Sequence, residues 1–410
     1  MKKIAFLCFT LCLLFTSKLH SSTTIFLQIT KNLQEKAEIV LLSGTEKDNY
    51  WEKFLSTLKR DLTYSGYFNV AEAIFTENPE VTKKRYTTEI ILQVIKTPEG
   101  IRIVVEDALE EKVLFEKNYQ KDNSPSYLAH IVNDDIVLHL TGKPGIALSK
   151  ILFVSDATGK YELYSIDYDG DNLKQLTSTE YLVHYPKWLI PGREILYISY
   201  EGGWPKLVKM NLKTGEKKIL LAEPGLNACA SPSLTTGEIA VVLSKGGYPD
   251  IYVVDFNGKI KRQITSSKST NASPSFSPDG NIIAFVSDRH GSPQIYTMTK
   301  DGGRLKRISF ISNYSTSPAY SPDGNYIAYV FRKDGFGLAV YEPSTEETRI
   351  IAENIGCEDV SWAPDSRHII YTDVRSRPSS LVIMDILTGE KRVLNTGKTN
   401  SFSPSWSQTR

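Results

Sequence analysis

The chain has 410 residues, of which 41% are hydrophobic and 23% are charged, so it is long enough for two or three cores and too apolar to be disordered. Its 48 basic and 47 acidic residues nearly balance, which excludes the broad basic surface of a nucleic-acid-binding protein. Four cysteines are too few for a disulfide-stabilised scaffold, so packing has to hold the fold together.

The N-terminus has the composition of an export signal. Lys2 and Lys3 precede an apolar run from Ile4 to Phe15, which is shorter than the roughly 20 residues that a membrane-spanning helix needs. This pattern predicts a cleaved signal peptide over residues 1–22, with cleavage near Ser21 or Ser22.

Residues 23–144 have the mixture of strands and helices expected of a separate α/β domain. Apolar residues at helical spacing predict helices at Tyr50–Tyr64 and Pro125–Leu140. Apolar runs predict strands at Thr24–Thr30, Ala37–Leu42, Glu89–Ile95, Ile101–Glu106 and Val113–Tyr119. The segment Gly142–Gly145 is expected to link this domain to the remainder of the chain.

Residues 145–410 repeat one unit six times. The apolar core of the unit recurs at spacings of 44, 44, 44, 44 and 42 residues, starting at Ile151, Ile195, Ile239, Ile283, Ile327 and Ile369. A second strand-like run begins 12 residues after each start, and in most copies a glycine turn and a third run follow. With the strand that precedes each later core, this makes four short strands per period, which predicts a propeller blade.

The end of the chain supplies the strand that the first copy lacks. No SPDG-type strand precedes Ile151, whereas Ser403–Trp406 matches the strand before the later cores. This strand would complete the first blade and remove an open sheet edge. We therefore expect a two-domain fold in which an N-terminal α/β domain precedes an all-β six-bladed β-propeller, closed by the C-terminal strand.

The unit SPSFSPDGNIIAFVSDRHGSPQIYTMTKDGG resembles the propeller repeat of the TolB family. The order of signal peptide, α/β domain and six blades is similar over nearly the whole chain, and the first helix ends in family-like residues at Asp61, Leu62, Ser65, Gly66 and Phe68. This resemblance implies a periplasmic, non-enzymatic component of the Tol-Pal system, without a cofactor. It also implies a contribution to outer-membrane integrity and to invagination during cell division.

Strand direction places the tight SPDG and glycine turns on one face of the propeller and the longer loops, including those between blades, on the other. Long loops on a rigid scaffold favour recognition, and the resemblance implies that the lipoprotein Pal docks there. The candidate contacts are His184, Asn227, Ala228, Asn271, Asn313, Tyr314, Glu358 and Asn400. The alternative is that the asparagines only cap turns.

A second partner, TolA, is implied at the N-terminal segment that cleavage would free. Its candidate residues are Thr23, Thr24, Ile25, Phe26, Leu27, Gln28, Ile29 and Thr30. A short β-prone segment can add to a partner's sheet edge. The alternative is that this segment forms the first strand of the α/β domain.

Three aromatic residues occupy equivalent positions in loops of the same face: Trp204, Tyr248 and Phe336. They either anchor a partner, as aromatic residues often do, or pack between blades. Cys229 and Cys357 belong to blades three positions apart in the ring, so the roughly 6 Å between Cα atoms that a disulfide needs is not expected.

Other classes of function have less support in the sequence. No G-x-S-x-G motif is present, which disfavours a peptidase-related propeller. The run DYDGDN at Asp167–Asn172 lacks the glycine and glutamate of a calcium loop, so a hairpin turn is expected there. The histidines lack metal-ligand spacing and are expected at surface or packing positions. A propeller that serves as an outer-membrane assembly platform stays open as an alternative.

Overall fold

A computed structural model of the chain describes residues 35–44, 48–74 and 89–408. These residues form an α/β region followed by a six-bladed β-propeller, which confirms the predicted fold class. The predicted signal peptide and the predicted strand Thr24–Thr30 lie outside the described residues. Within the three described ranges, no helix has the length and apolar character required to cross a membrane.

The α/β region contains one mixed sheet of five strands with the order β2-β1-β3-β4-β5. Its strands are β1 (Ala37–Ser43), β2 (Phe68–Ile74), β3 (Ile90–Thr97), β4 (Gly100–Asp107) and β5 (Lys112–Gln120). Strand β1 pairs in parallel with β2 and β3, whereas β3, β4 and β5 are antiparallel. The sequence patterns did not predict β2. In the chain, β2 follows the first helix, whereas its partner strand β1 precedes that helix.

Two helices pack on this sheet, α1 (Asn49–Tyr64) and α2 (Pro125–Thr141). The side chains of Asp48 and Ser124 accept backbone hydrogen bonds at the two helix starts, which satisfies N–H groups that have no partner within the helix. Gly142 ends α2 with a left-handed φ of 69°, a conformation that glycine adopts without steric cost. Both helices are close to their predicted positions.

The propeller has six four-stranded sheets. The first blade consists of β6 (Lys150–Ser155), β7 (Glu162–Asp167), β8 (Lys174–Gln175) and the C-terminal β29 (Ser401–Trp406). Blades two and three consist of β9 (Val183–Ile190), β10 (Glu194–Ser199), β11 (Lys206–Asn211), β12 (Lys217–Leu221), β13 (Asn227–Ser233), β14 (Glu238–Leu243), β15 (Asp250–Asp255) and β16 (Ile260–Gln263). Blades four to six consist of β17 (Asn271–Phe276), β18 (Ile282–Ser287), β19 (Gln294–Thr299), β20 (Lys306–Arg307), β21 (Ser315–Tyr320), β22 (Ile327–Arg332), β23 (Phe336–Glu342), β24 (Glu347–Ala352), β25 (Cys357–Trp362), β26 (His368–Asp373), β27 (Ser380–Asp385) and β28 (Lys391–Leu394).

The C-terminal strand closes the ring. Strand β29 pairs antiparallel with β6 in the first blade, and the six inner strands β9, β13, β17, β21, β25 and β29 contact one another in a closed circle. Residues on both faces of the second strands are buried, as in β18 with Ile283, Phe285 and Ala284, because each blade packs between two neighbours. The predicted closure is confirmed.

The segment predicted as a linker is held against α2. Asp134 of α2 accepts hydrogen bonds from the backbone N–H groups of Ala147 (2.9 Å) and Leu148 (3.1 Å). A Cβ atom at Gly145 would lie 2.1 Å from the Asp134 carboxylate, so glycine is needed for this close approach. The connection between the α/β region and the propeller is therefore packed in place.

Candidate functional site

The α/β region lies on the face of the propeller that carries the tight turns, which we call the turn face. Lys36 pairs with Glu390 in the glycine turn of the sixth blade at 2.6 Å, and Lys143 pairs with Asp323 in the SPDG turn of the fifth blade at 3.3 Å. The opposite face, which carries the longer loops, is called the loop face. These contacts of the α/β region are with turns, so its described residues leave the loop face uncovered.

A buried group of charged and aromatic side chains joins the α/β region to the first and sixth blades. This interface cluster consists of Arg60, Asp61, His130, Tyr168, Asp169 and Arg392. Asp61 accepts a hydrogen bond from the Tyr168 hydroxyl at 2.5 Å, and its other oxygen lies 2.6 Å from His130 Nδ1. Arg60 pairs with Asp169 in the glycine turn of the first blade. Helices α1 and α2 are thereby bound to the propeller.

His130 lies between two carboxylates. Its Nδ1 faces Asp61, and its Nε2 is 3.6 Å from an oxygen of Asp169. Burial alone would lower the pKa of His130, but the hydrogen bond and charge of Asp61, with the charge of Asp169, outweigh burial and raise this pKa. A protonated imidazole donates to Asp61 and also attracts the Asp169 carboxylate by its charge, whereas a neutral one has only the hydrogen bond to Asp61. The cluster is therefore most complete when His130 is charged.

Arg392 completes the cluster from the sixth blade. Its guanidinium lies over the rings of Tyr64 (4.4 Å) and Tyr168 (5.2 Å) and donates to the Tyr168 carbonyl oxygen at 2.8 Å. Burial raises the pKa of Tyr168, and the adjacent Asp61 raises it further. Tyr168 is therefore a neutral hydrogen-bond donor.

A second contact to the sixth blade lies beside the end of α1. Arg367 donates to the carbonyl oxygen of Gly66 at 2.7 Å and to Asp385 at 2.6 Å, and its guanidinium lies over the ring of Tyr67. Gly66 has a φ of 79°, and a Cβ atom there would lie 2.9 Å from both the Arg367 and Asp385 side chains. The family-like SGYF motif at the helix end thus serves the attachment to the propeller.

Asp61, His130 and Asp169 place three potential metal ligands within 4.8 Å of one another. Their oxygens already accept from Tyr168, His130 and Arg60, and Arg60 brings a positive charge to the position where a cation would bind. The residues present do not fit a metal ion, and we assign them to the interface. Sequence reasoning had placed His130 among surface or packing residues, since no local motif shows that α2 meets the DYDGDN turn.

The predicted Pal contacts lie on or beside the loops of the loop face, but they differ in exposure. Asn313 and Glu358 are exposed, whereas His184, Tyr314 and Asn400 are half-buried. Asn227 and Asn271 are fully buried and Ala228 is 8% exposed. Contact with a partner stays a prediction for all eight residues, and it is simplest for the exposed ones.

The buried asparagines hold the loops in place. Asn271 donates to Asp250 at 2.9 Å and to Ser267 at 3.0 Å, and it accepts from Arg289 at 2.8 Å. Asn227 accepts a hydrogen bond from the backbone N–H of Glu223 and donates one to the carbonyl oxygen of the same residue. These hydrogen bonds support the turn-capping alternative for the two asparagines, whose side chains stabilise the loops that carry more exposed residues.

Large apolar side chains are exposed on the loop face. Trp204 and Phe310 are each 70% exposed, and Tyr248 is 45% exposed. The interpretation that Trp204 and Tyr248 pack between blades is therefore wrong. Phe336, in contrast, is half-buried and contacts the ring of Tyr314. Phe310, which the sequence analysis did not single out, is covered on one side by the Arg307 guanidinium.

The other predicted site could not be located. All eight residues of the TolA-binding segment, from Thr23 to Thr30, lie outside the described residues. The chain enters the described structure at Glu35, and the next residue, Lys36, already contacts the turn face.

Both cysteines of the propeller, Cys229 and Cys357, are free thiols. Cys229 is the third residue of the inner strand of the third blade, and Cys357 is the first residue of the inner strand of the sixth blade.

Comparison with known proteins agrees with this architecture. The family model described as the TolB beta propeller domain matches residues 137–410. A protein TolB homolog of Chlorobium chlorochromatii is 37% identical over 106 residues, covering 26% of this chain and 24% of that protein. The Tol-Pal system protein TolB of Legionella pneumophila (strain Corby) is 27% identical over 214 residues, covering 49% of this chain and 51% of that protein. The chain thus spans about half or less of the length of the curated relatives it matches.

A solved structure matches over a greater length. The crystal structure of TolB from Acinetobacter baumannii superposes with a TM-score of 0.79 at 23% identity, covering 91% of this chain and 97% of the other. At this identity the match supports the fold, including the α/β region that the family model does not cover.

Proposed function

Because this chain belongs to the TolB beta-propeller family, we propose that it is a non-enzymatic, protein-binding component of the Tol-Pal system in the periplasm. In this role it contributes to outer-membrane integrity and to invagination during division by binding Pal with the propeller and TolA with the N-terminal segment. The observation that carries the proposal is the open loop face, which lies opposite the α/β region and presents exposed aromatic side chains.

The loop face has the properties of a protein-binding surface. Exposed aromatic side chains supply most of the binding energy in many interfaces, and Trp204 and Phe310 are exposed on this face. Buried asparagines hold two other loops of the same face in place. A pre-ordered loop loses little entropy on binding. The half-buried His184 and Tyr314 and the exposed Asn313 and Glu358 offer polar groups on the same face.

The proposed TolA contact uses a different part of the molecule. The segment Thr23–Thr30 is rich in β-branched residues and is suited to strand addition at a partner's sheet edge. Lys36, which follows this segment in the chain, contacts the turn face. The two proposed sites consist of different residues, so one site can be altered without changing the other.

The test is capture of purified Pal and TolA from the same organism by the chain freed of its signal peptide. The double variant Trp204→Ala/Phe310→Ala should lose Pal capture and keep TolA capture. Leu109→Ala removes another exposed apolar side chain, which is 83% exposed in the α/β region, and should change neither. Undiminished Pal capture by the double variant would place the Pal site elsewhere.

Deletion of residues 22–30 should have the opposite effect, loss of TolA capture with Pal capture intact. If these residues instead form the first strand of the α/β region, the deletion would unfold that region. Circular dichroism therefore has to show that the deletion variant is folded. A folded deletion variant that still captures TolA refutes the second site. Recovery of only outer-membrane assembly proteins from an envelope extract would favour an assembly platform instead.

A further inference from the structure

The six inner strands place one residue each, at the same position, in a left-handed conformation beside the central channel. The φ angles of these residues lie between 49° and 52°, and the residues are Tyr185, Cys229, Ser273, Ser317, Asp359 and Ser403. Every one of the six pairings is irregular at this point. All six residues line one cavity of about 80 Å³ in the channel, which is room for several water molecules or one small polar group.

Two residues further along the inner strands, serines connect neighbouring blades. The hydroxyl of Ser231 accepts from the backbone N–H of Phe276 at 3.1 Å. Ser275 accepts from Tyr320 at 3.0 Å, and Ser361 accepts from Trp406 at 2.9 Å. This position is therefore structural in these blades, and a small hydroxyl residue suits it.

Two blades depart from this pattern, the fifth with Ala319 and the second with Lys187. The residue of the third blade that would donate to a serine there is Pro232, which has no backbone N–H. The serine link is impossible at this boundary, and Lys187 instead lines the channel cavity. Among residues 35–44, 48–74 and 89–408, no carboxylate lies within 4.0 Å of its ammonium group, so Lys187 has no ion-pair partner within that range.

The surroundings of Lys187 favour an incoming oxygen acceptor. Burial lowers its pKa, while the charge of Asp359 acts in the opposite direction without reaching contact distance. Asp359 accepts a hydrogen bond from the Ser403 hydroxyl at 2.9 Å. Ser273 and Ser317 line the same cavity, and serine hydroxyl groups can donate hydrogen bonds. An anion beside Lys187 would favour the charged form of the amine and supply the ion-pair partner that the described residues do not.

We propose that Lys187 makes the channel a binding site for an oxyanion, a carboxylate or phosphate group that enters from the loop face. The left-handed residues lie in the half of each inner strand nearer that face, since every inner strand begins there. The Asp359 carboxylate repels an anion in the same cavity and limits the affinity for a free one. The anion is either a small solute or an acidic side chain of the docked partner; the second source rests on the proposed function.

The first experiment uses the mature chain alone, with sodium phosphate and sodium acetate as probes against sodium chloride at constant ionic strength. Binding to the folded state raises the melting temperature in a saturable manner. We expect this rise in the wild type, a larger rise at the same concentration in Asp359→Asn, and none in Lys187→Ser, which carries the residue found in four of the other blades. Acylation of Lys187, measured by peptide mass spectrometry, should slow when the anion is bound, with Lys398 as an exposed reference.

The outcomes separate this site from the proposed function. If neither probe stabilises the wild type or Asp359→Asn, or if Lys187→Ser responds as the wild type does, the oxyanion site is refuted, whatever Pal capture shows. If the probes bind and also compete with captured Pal, an acidic group of the partner uses the site. If they bind without competition, the ligand is a free anion. Probe binding without any Pal capture supports the site and counts against the proposed function alone.

Discussion

Replacing Trp406 by alanine should destabilise the closed propeller, because this side chain joins the last strand to two blades. Trp406 is 1% exposed and packs in a cluster that includes Ile151 of the first blade and Ile383 of the sixth. Its ring nitrogen donates to the Ser149 hydroxyl at 2.6 Å, and its backbone N–H donates to Ser361 at 2.9 Å. The substitution removes the indole contacts and leaves a cavity at the closure point.

The expected loss is large. Removal of a buried tryptophan side chain lowers the free energy of unfolding by about 3–5 kcal/mol. This value includes the loss of the indole hydrogen bond. Urea unfolding followed by far-ultraviolet circular dichroism measures it as a lower midpoint of the propeller transition. Trp362 occupies the equivalent position in the sixth blade, is also 1% exposed, and donates to the Ala319 carbonyl oxygen at 2.9 Å.

Trp362→Ala should therefore cost about as much as Trp406→Ala, since both remove a buried tryptophan. Trp204→Ala makes the same chemical change at a side chain that is 70% exposed, and its effect should stay within about 0.5 kcal/mol. If Trp406→Ala behaves like Trp204→Ala while Trp362→Ala is strongly destabilised, the C-terminal strand does not close the ring in solution.

Three further predictions concern single residues. His130→Gln should reduce stability most at about pH 5.5 and least at about pH 8.5. The raised pKa of His130 means that its contribution is complete below the unfolded-state pKa and is lost as the pH rises through the folded-state pKa; a cost that does not vary with pH contradicts the cluster assignment. Asn271→Ala should cost about 1–3 kcal/mol because it leaves buried groups unpaired, whereas Asn313→Ala should change thermal stability by less than about 0.5 kcal/mol; equal costs would show that Asn271 does not hold its loop. Peptide mapping after denaturing alkylation should find Cys229 and Cys357 as free thiols, and a cross-linked peptide joining them would overturn the blade order.

The propeller was predictable because its information is local and repeated. Each period contains its own turns and its own apolar core, and the match of Ser403–Trp406 to the inner strands identified the closure. Strand β2 was not predictable in the same way: FNVAEAI places Asn69 and Glu72 within a short apolar run, and its pairing with β1 is parallel and spans the whole of α1. Its existence depends on the tertiary fold rather than on its own pattern.

The same distinction between local sequence information and tertiary contacts applies to the candidate sites. The position of the loops followed from strand direction, but the burial of Asn227 and Asn271 depends on hydrogen bonds that only the folded loops make. Nothing in the sequence near His130 or Asp169 indicates that these residues meet. Lys187 differs, because aligning the six inner strands shows a lysine where most blades have serine, with Pro232 at the donor position of the next blade. That signal was present in the sequence and was missed.

The positions of the two proposed binding regions have a mechanical consequence. The α/β region covers turns of the first, fifth and sixth blades, while the loop face and the channel around Lys187 are on the other side. A partner at the loop face can influence the α/β region through the blades and their attachment to α1 and α2. One attachment is the interface cluster, in which His130 lies between Asp61 and Asp169. If binding at the two sites is coupled, His130→Gln should weaken the coupling while leaving each single affinity nearly unchanged, because the substitution touches neither surface. Titrating each partner in the absence and presence of the other measures this, and coupling that persists in a folded His130→Gln protein would exclude the cluster as its route.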